Sequence, residues 1–363
     1  MKPGGTERGP HQTLVGVQYV RGVAAMLVVF YHAAAQVAID PFYGRIPHPA
    51  LEYGYVGVPV FFLVSGLIIA MVSLDSTWAP RLRPRDFAEK RVVRILPFMW
   101  LAIIAYNALS FAGTGVVEWN PFWRAMVLWP SGTVKPNIIW TLRHEAMFYI
   151  VFALSFLGCR RRLWLIAAWC LSPIVMHLLL PALPRETASD PSLQALLFAD
   201  VNIMFGAGLL VGLFTLRRCP QIAPTWRGGA AAVYAGGIAV ALLAYAMNWR
   251  EGFVAYAWLT LASVPLVILA VRLAPSRSIL DRAAGLIGDA SYAIYLVHNL
   301  VIVPAIIGGR RVIGMAGLWP TYLAIVAMAT IAGILAHLFI EKPLIAAVSR
   351  RLPRNARPFV NSR

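Results

Sequence analysis

The sequence predicts an all-α, polytopic integral membrane protein of about ten transmembrane helices with both termini cytoplasmic. Three observations predict it. Of the 363 residues, 60% are hydrophobic and 13% are charged, whereas soluble domains carry about 25% charged residues. The apolar runs are continuous, as in membrane helices, and do not alternate as barrel strands do. Most Lys and Arg side chains fall in every second connection, the bias that marks cytoplasmic loops. A formal net charge of +17 would raise nucleic acid as a partner for a soluble basic domain. Here topology accounts for it, and no nucleic-acid partner is expected. Cys159, Cys170 and Cys219 are scattered. They form neither a CxxC pair nor a metal spacing, so no disulfide framework and no metal site is expected.

The first run, 15–38, is long enough to cross a bilayer, which takes roughly 20 apolar residues. It nevertheless carries Arg21 and His32, eleven residues apart. In a helix that separation is three turns plus roughly 20°, so both lie on one face about 16 Å apart. An ionisable residue inside the membrane is a functional-site hypothesis by default. His32 sits roughly 10 Å below the outer surface, where a neutral imidazole is suited to general-base work. The plain alternative is a histidine bonded to a neighbouring carbonyl. An apolar core from Gly22 to Phe30 followed by Ala33–Ala35 imitates a signal peptide, but the run continues past a typical cleavage position.

The second run, 56–76, opens on Gly54, Gly57 and Gly66, which permit close helix approach, with Ser65 placed to bond across helices. A basic inner loop from Trp78 to Lys90 leads to the third run, 93–112. Arg91 and Arg94, at its start, share a helix face. With Arg21 they can form a cationic cluster at the inner mouth that suits phosphates; simple positive-inside anchoring is the alternative. In the outer loop 113–136, Trp119, Trp123 and Trp129 suit an interfacial belt. The fourth run, 137–157, places Glu145 roughly 12 Å from the outer surface, matching the depth of His32. A carboxylate at that depth needs a partner, and His32 or Arg143 can supply it. A His32–Glu145 pair would orient the ring and stabilise its protonated form.

Runs five to eight, 163–182, 196–216, 229–247 and 253–272, are apolar and hold their positive charge in the inner connections. The outer loop 183–195 holds Glu186 and Asp190. The ninth run, 290–307, follows Asp289, which suits a helix N-terminus, and contains Ser291, Tyr292 and His298. His298 falls mid-membrane, as polar glue or as a pocket wall. The tenth run, 318–340, leads into Glu341 and Pro343. Glu341 reaches the inner surface, where Arg91 or Arg94 can pair with it, and Pro343 interrupts the helix. Arg310 and Arg311 fall outside, against the charge bias. The tail Arg350 to Arg357 reads as a disordered basic patch on anionic lipid.

In order, these motifs resemble those of the membrane-bound acyltransferase 3 family of bacterial O-acyltransferases. An Arg-x10-His signature is carried by Arg21 and His32. A Gly-Val-x-x-Phe-Phe-x-x-Ser-Gly element is similar to the stretch ending in Ser65 and Gly66. An Arg-x-x-Arg element matches Arg91 and Arg94, and a Trp-Ser-Leu-x-x-Glu-x-x-Phe-Tyr element looks like Trp140 to Tyr149. Ser291 to His298 match a Ser-Tyr-x-x-Tyr-Leu-x-His element, and Glu341 to Pro343 a late Glu-x-Pro. Pro59 stands where many members have Asp, and Thr141 replaces the common Ser. Many relatives also carry a C-terminal esterase-like domain, and none is expected here.

The resemblance implies a cytoplasmic segment 1–13, an acyltransferase membrane domain 14–345 and a basic cytoplasmic tail 346–363, in the bacterial inner membrane. It implies no bound cofactor. Acyl-CoA, with acetyl the commonest acyl group, is the co-substrate, and a carbohydrate hydroxyl is the acceptor. His32 and Glu145 are the catalytic pair, and Arg21, Arg91 and Arg94 bind the donor. Ser65, Tyr149, Ser291, Tyr292, His298 and Glu341 support the pocket. Acyl-CoA, a glycan and membrane lipid are the expected partners, and the oligomeric state is not written in the sequence. A secondary transporter and an acyl-CoA-binding scaffold are the alternatives from other classes.

Overall fold

The computed structural model describes residues 14–40, 42–155, 162–179, 192–218, 228–250, 252–273, 278–312 and 317–350. Among them the only extended pairing is an isolated bridge between Leu74 and Pro80; the rest of the regular structure is helical. In order come α1 (Val15–Val37), a 3-10 helix (Pro49–Val56), α2 (Gly57–Ser73), α3 (Pro84–Thr114), α4 (Trp119–Met126) and a 3-10 turn (Asn137–Ile139). Then follow α5 (Trp140–Ser155), α6 (Arg162–Leu179), α7 (Leu193–Leu197), α8 (Asn202–Arg218), α9 (Gly229–Ala246) and α10 (Phe253–Arg272). The chain closes with α11 (Ile279–Asp289), α12 (Ser291–Val312), α13 (Leu318–Ala336), a π-helical turn (His337–Glu341) and α14 (Lys342–Arg350).

Eight helical segments among the described residues are long and apolar enough to cross a membrane, so the protein is a multi-pass membrane protein. All ten expected runs contain helix. The helices of the fourth and fifth expected runs, α5 and α6, span only 16 and 18 residues. Both border segments outside the described residues, and α5 begins only after the 3-10 turn. The basic stretch expected as a loop up to Lys90 is helical from Pro84, because Pro84 occupies the first turn, where its missing N–H is harmless. At 31 residues, α3 is roughly 46 Å long, more than the hydrocarbon core of about 30 Å. Its basic first turns therefore extend beyond the apolar slab. The sequence reading did not separate α4, α11 and α14 as helices. α11 is a short amphipathic helix capped by Ser278, whose Oγ accepts from the Asp281 amide. α14 runs through Arg350, across the boundary expected at residue 345.

α1 is the central post. It packs against α2, α9, α10, α11, α12 and α13, and against the Pro49–Val56 helix. Lipid tails offer no hydrophobic drive to helix association, so close backbone packing has to supply it. Glycine makes that possible at two seams. A Cβ on Gly57 would strike the Ala24 carbonyl of α1, and one on Gly208 of α8 would strike the Leu63 carbonyl of α2. The Trp119, Trp123 and Trp129 side chains are exposed, as an interfacial belt requires. The N-terminal segment, Glu186, Asp190, the tail beyond Arg350 and the side chains of Arg310 and Arg311 lie outside the described residues.

Candidate active site

The polar residues of the membrane interior collect in two groups, one at each level of α1. The first surrounds Arg21, which is buried and 9% exposed. Its Nη1 donates to Gln18 Oε1 at 3.0 Å. Within electrostatic reach of its guanidinium lie Arg94 of α3, Asp289 of α11, Glu341 of the π turn and Glu145 of α5. Glu145 accepts from Ser65 Oγ of α2 at 3.2 Å and from the Tyr149 hydroxyl one turn along α5. Arg91 lies over the Tyr149 ring at 5.2 Å and over Phe87 at 5.5 Å. Tyr292 lies within reach of Glu341, Glu145, Tyr149 and Arg94, and its hydroxyl donates to the Ile95 carbonyl at 2.9 Å. Helices α1, α2, α3, α5, α11 and α12 and the π turn thus each contribute to one charged cluster. Its three arginines and three carboxylates share one region of a low-dielectric slab, where charge without a compensating partner is costly.

The second group surrounds His32, about three turns further along α1. His298 of α12 is fully buried, and its Nε2 lies 3.3 Å from His32 Nδ1. His32 Nδ1 also lies 3.0 Å from the Val28 carbonyl, and His298 Nδ1 lies 3.1 Å from the Ile294 carbonyl. A carbonyl only accepts, so each Nδ1 carries the hydrogen. His298 Nε2 is then a lone pair that shares the Nδ1–H of His32. By the same reasoning His32 Nε2 has a free lone pair. Tyr295 flanks the pair, its ring 5.9 Å from that of His298. Its hydroxyl reaches Thr141 Oγ1 at 2.9 Å and the Ile138 carbonyl at 3.0 Å.

Three expected pairings are corrected. Among the described residues no hydrogen bond, ion pair or electrostatic contact joins His32 to Glu145. Equal depth along two helices does not make two side chains neighbours; lateral packing decides. α12 lies against α1 at the level of His32, whereas Glu145 faces Ser65, Tyr149 and the arginine cluster. Among the described residues Glu341 likewise makes no ion pair with Arg91 or Arg94. It accepts from or shares a proton with His337 Nδ1 at 2.6 Å within the π turn. For Arg143, the contact among the described residues is with backbone and not with Glu145: its Nη1 donates to the Gly132 carbonyl at 2.7 Å. Ser291 is buried, and its Oγ has no hydrogen-bond partner among the described residues. Sequence reasoning passed over His337, although its place four residues before Glu341 is a legible helical pairing. It also passed over Gln18, which carried no signal beyond its polarity, and gave no role to Tyr295, although this is the second tyrosine of the Ser-Tyr-x-x-Tyr-Leu-x-His element.

The family model described as an acyltransferase domain, that of the acyltransferase 3 family, matches residues 14–338. The chain belongs to this acyltransferase family. The match spans every residue of both polar groups except Glu341. Exopolysaccharide production protein ExoZ of Rhizobium meliloti (strain 1021) is 31% identical to this acyltransferase over 310 residues, covering 80% of this chain and 90% of its own. Acyltransferase MdmB of Streptomyces mycarofaciens is 28% identical over 377 residues, covering 92% of each chain. No solved structure matches the chain. Membership decides for a membrane acyltransferase over the transporter and scaffold alternatives.

Proposed function

We propose that this acyltransferase moves an acyl group from acyl-CoA to a carbohydrate hydroxyl, with His32 as the general base. The observation that carries the reading is the His32–His298 contact, because it leaves His32 Nε2 as the unprotonated atom. In the proposed step, the acceptor hydroxyl attacks the thioester carbonyl while His32 Nε2 takes its proton. The carbon–sulfur bond then breaks, and the thiolate leaves with that proton as CoA thiol. An ester is formed and His32 is returned neutral. While His32 is protonated, its Nδ1–H bond to His298 Nε2 becomes charge-assisted and stronger. His298 thereby takes the part that the sequence reading gave to Glu145.

The arginine cluster binds the donor in this scheme. Arg91 and Arg94 meet the CoA phosphates, where guanidinium groups bond bidentately. Arg21, steered by Glu145, Glu341 and Asp289, stands between the phosphates and the reacting carbonyl. The positive-inside bias puts this end of the bundle in the cytoplasm, where acyl-CoA is available. Acetyl is the expected acyl group. The name of the Rhizobium relative supports an extracellular polysaccharide or its lipid-linked precursor as the acceptor.

The test compares ester content of cell-surface glycans from a deletion strain carrying either the native chain or His32→Ala. The native chain restores an ester that the variant, present in the membrane at equal level, does not. Restoration by His32→Ala removes His32 from the chemistry.

A further inference from the structure

Around Arg21 opposite charges gather, yet among the described residues Arg21, Arg91 and Arg94 close no ion pair with a carboxylate. Arg21 gives an N–H to the neutral Gln18 side chain. Arg91 rests on the faces of Phe87 and Tyr149. Glu145 accepts from two hydroxyls, those of Ser65 and Tyr149. Glu341 lies within electrostatic reach of Arg21 and of Tyr292. Its hydrogen-bond partner is instead His337, whose Nδ1 stands 2.6 Å from Glu341 Oε2.

This geometry fixes the tautomer. An ionised carboxylate only accepts, so Nδ1 carries the hydrogen and donates it to Oε2. Nε2 of His337 is buried and has no hydrogen-bond partner among the described residues. A buried N–H without an acceptor is the rarer kind of orphan, so Nε2 is the bare nitrogen and the ring is neutral. A neutral donor orients Glu341 without cancelling its charge, as a lysine or arginine in that place would. His337 opens the π turn and Glu341 closes it, and both side chains are buried. The turn packs against α12, which carries Tyr292. Directly beyond it, α14 packs against α3, which carries Arg91 and Arg94.

We infer that His337 is a positioning residue for the acyl donor: it holds Glu341 beside the arginines as a balancing charge and keeps it from closing a salt bridge with them. The inference rests on the reading of the arginine cluster as the site of the CoA phosphates. Two needs conflict there. Guanidinium groups in a low-dielectric slab require negative charge nearby while the site is empty. A carboxylate bonded bidentately to a guanidinium, however, occupies the N–H fork that a phosphate has to take. A carboxylate held at a distance meets the first need without defeating the second. Glu145 shows the same arrangement, with Ser65 and Tyr149 in the part of His337. A buried carboxylate that loses its donor gains most from a guanidinium, and that of Arg21 is within electrostatic reach of Glu341. Without the Nδ1–H, Glu341 therefore competes with the phosphate for the same hydrogen bonds.

The test measures binding of free CoA, by titration calorimetry, to the full chain in lipid nanodiscs. His337→Phe fills the space but removes the donor, and His337→Leu makes the same comparison where the larger ring is not accepted. Either raises the dissociation constant about tenfold, the weight of one charge-assisted hydrogen bond. His337→Asn keeps a neutral N–H donor the same number of bonds from the backbone as Nδ1, and its dissociation constant stays within about threefold of the native value. The deciding variant is double. His337→Phe combined with Glu341→Gln removes the competing charge, so CoA binds at least about threefold more tightly than to His337→Phe alone. A second substitution does not repair packing damage at residue 337, so this recovery separates positioning from a structural role. In transfer assays the loss in His337→Phe falls on KM for acyl-CoA, with kcat changed by less than about twofold. Native affinity in His337→Phe and His337→Leu, or a double variant that binds CoA no better than the single one, overturns the inference. Arg94→Ala separates the two readings. CoA binding unmoved by that substitution removes the donor reading itself. CoA binding weakened by Arg94→Ala but unmoved by His337→Phe leaves the donor reading standing and removes only the role of His337.

Discussion

His298 Nε2 lies 3.3 Å from His32 Nδ1 across the seam between α1 and α12. The contact places a neutral acceptor behind the proposed base. An acceptor there stabilises the imidazolium without a fixed negative charge. The first prediction follows. His298→Phe fills the same space but removes the acceptor. Its kcat for transfer falls about 10–100-fold, part of the 10²–10⁴-fold range of general-base help, with KM for acyl-CoA unchanged. Steady-state kinetics in vesicles check it; an unchanged kcat makes His298 a packing residue.

Arg94 and Arg91 carry the second prediction. If they meet the CoA phosphates, Arg94→Ala raises KM for acyl-CoA about 10–100-fold, the weight of a charge-assisted hydrogen bond. Arg94→Lys recovers only part of this, since an ammonium cannot bond bidentately. Binding of free CoA, which lacks the thioester, falls in parallel. Weakened transfer with intact CoA binding would place Arg94 elsewhere in the mechanism.

Glu145 is held by Ser65 and Tyr149 rather than by a histidine. Tyr149→Phe withdraws one donor from a half-buried carboxylate and costs about 1–3 kcal/mol of stability. It also leaves the aromatic face on which Arg91 rests. A drop in the thermal midpoint of the detergent-solubilised protein, with the ring contact conserved, is the expected outcome. No drop would mean that water replaces the hydroxyl without loss.

Glycine at the helix seams gives a matched pair of outcomes. Gly57→Ala forces a Cβ into the Ala24 carbonyl and destabilises by about 1–3 kcal/mol, the usual cost of overpacking. Gly113, on the exposed end of α3, has nothing within 4 Å of an added Cβ. Gly113→Ala is neutral or stabilises by about 0.5–1 kcal/mol through helix propensity. Thermal unfolding of both variants checks the contrast.

The helices were legible wherever the apolar run was long and unbroken, as in α1, α2, α10 and α13. Short amphipathic pieces were not, because α11 and α14 mix exposed and buried residues over a few turns and resemble connections. Within the site, the residues were legible and their partners were not. Arg21 and His32 declare themselves because charge is rare inside a membrane. That His32 meets α12 and that Glu145 turns to α2 and α3 depends on helix order around α1, which no one-dimensional pattern records. Glu341 is the informative miss, since its partner His337 stands four residues away in the same string.

The π turn from His337 to Glu341 sets how the last helix meets the rest. Such a turn holds one residue more than an α-turn, so everything after it is advanced by roughly 100° around the axis. That offset lays Leu344 of α14 against the cluster built on α3 and α12. Losing a single residue there would restore a regular ladder and swing α14 off this seat. Chain length in that one turn is therefore constrained as tightly as the identity of any side chain in the bundle.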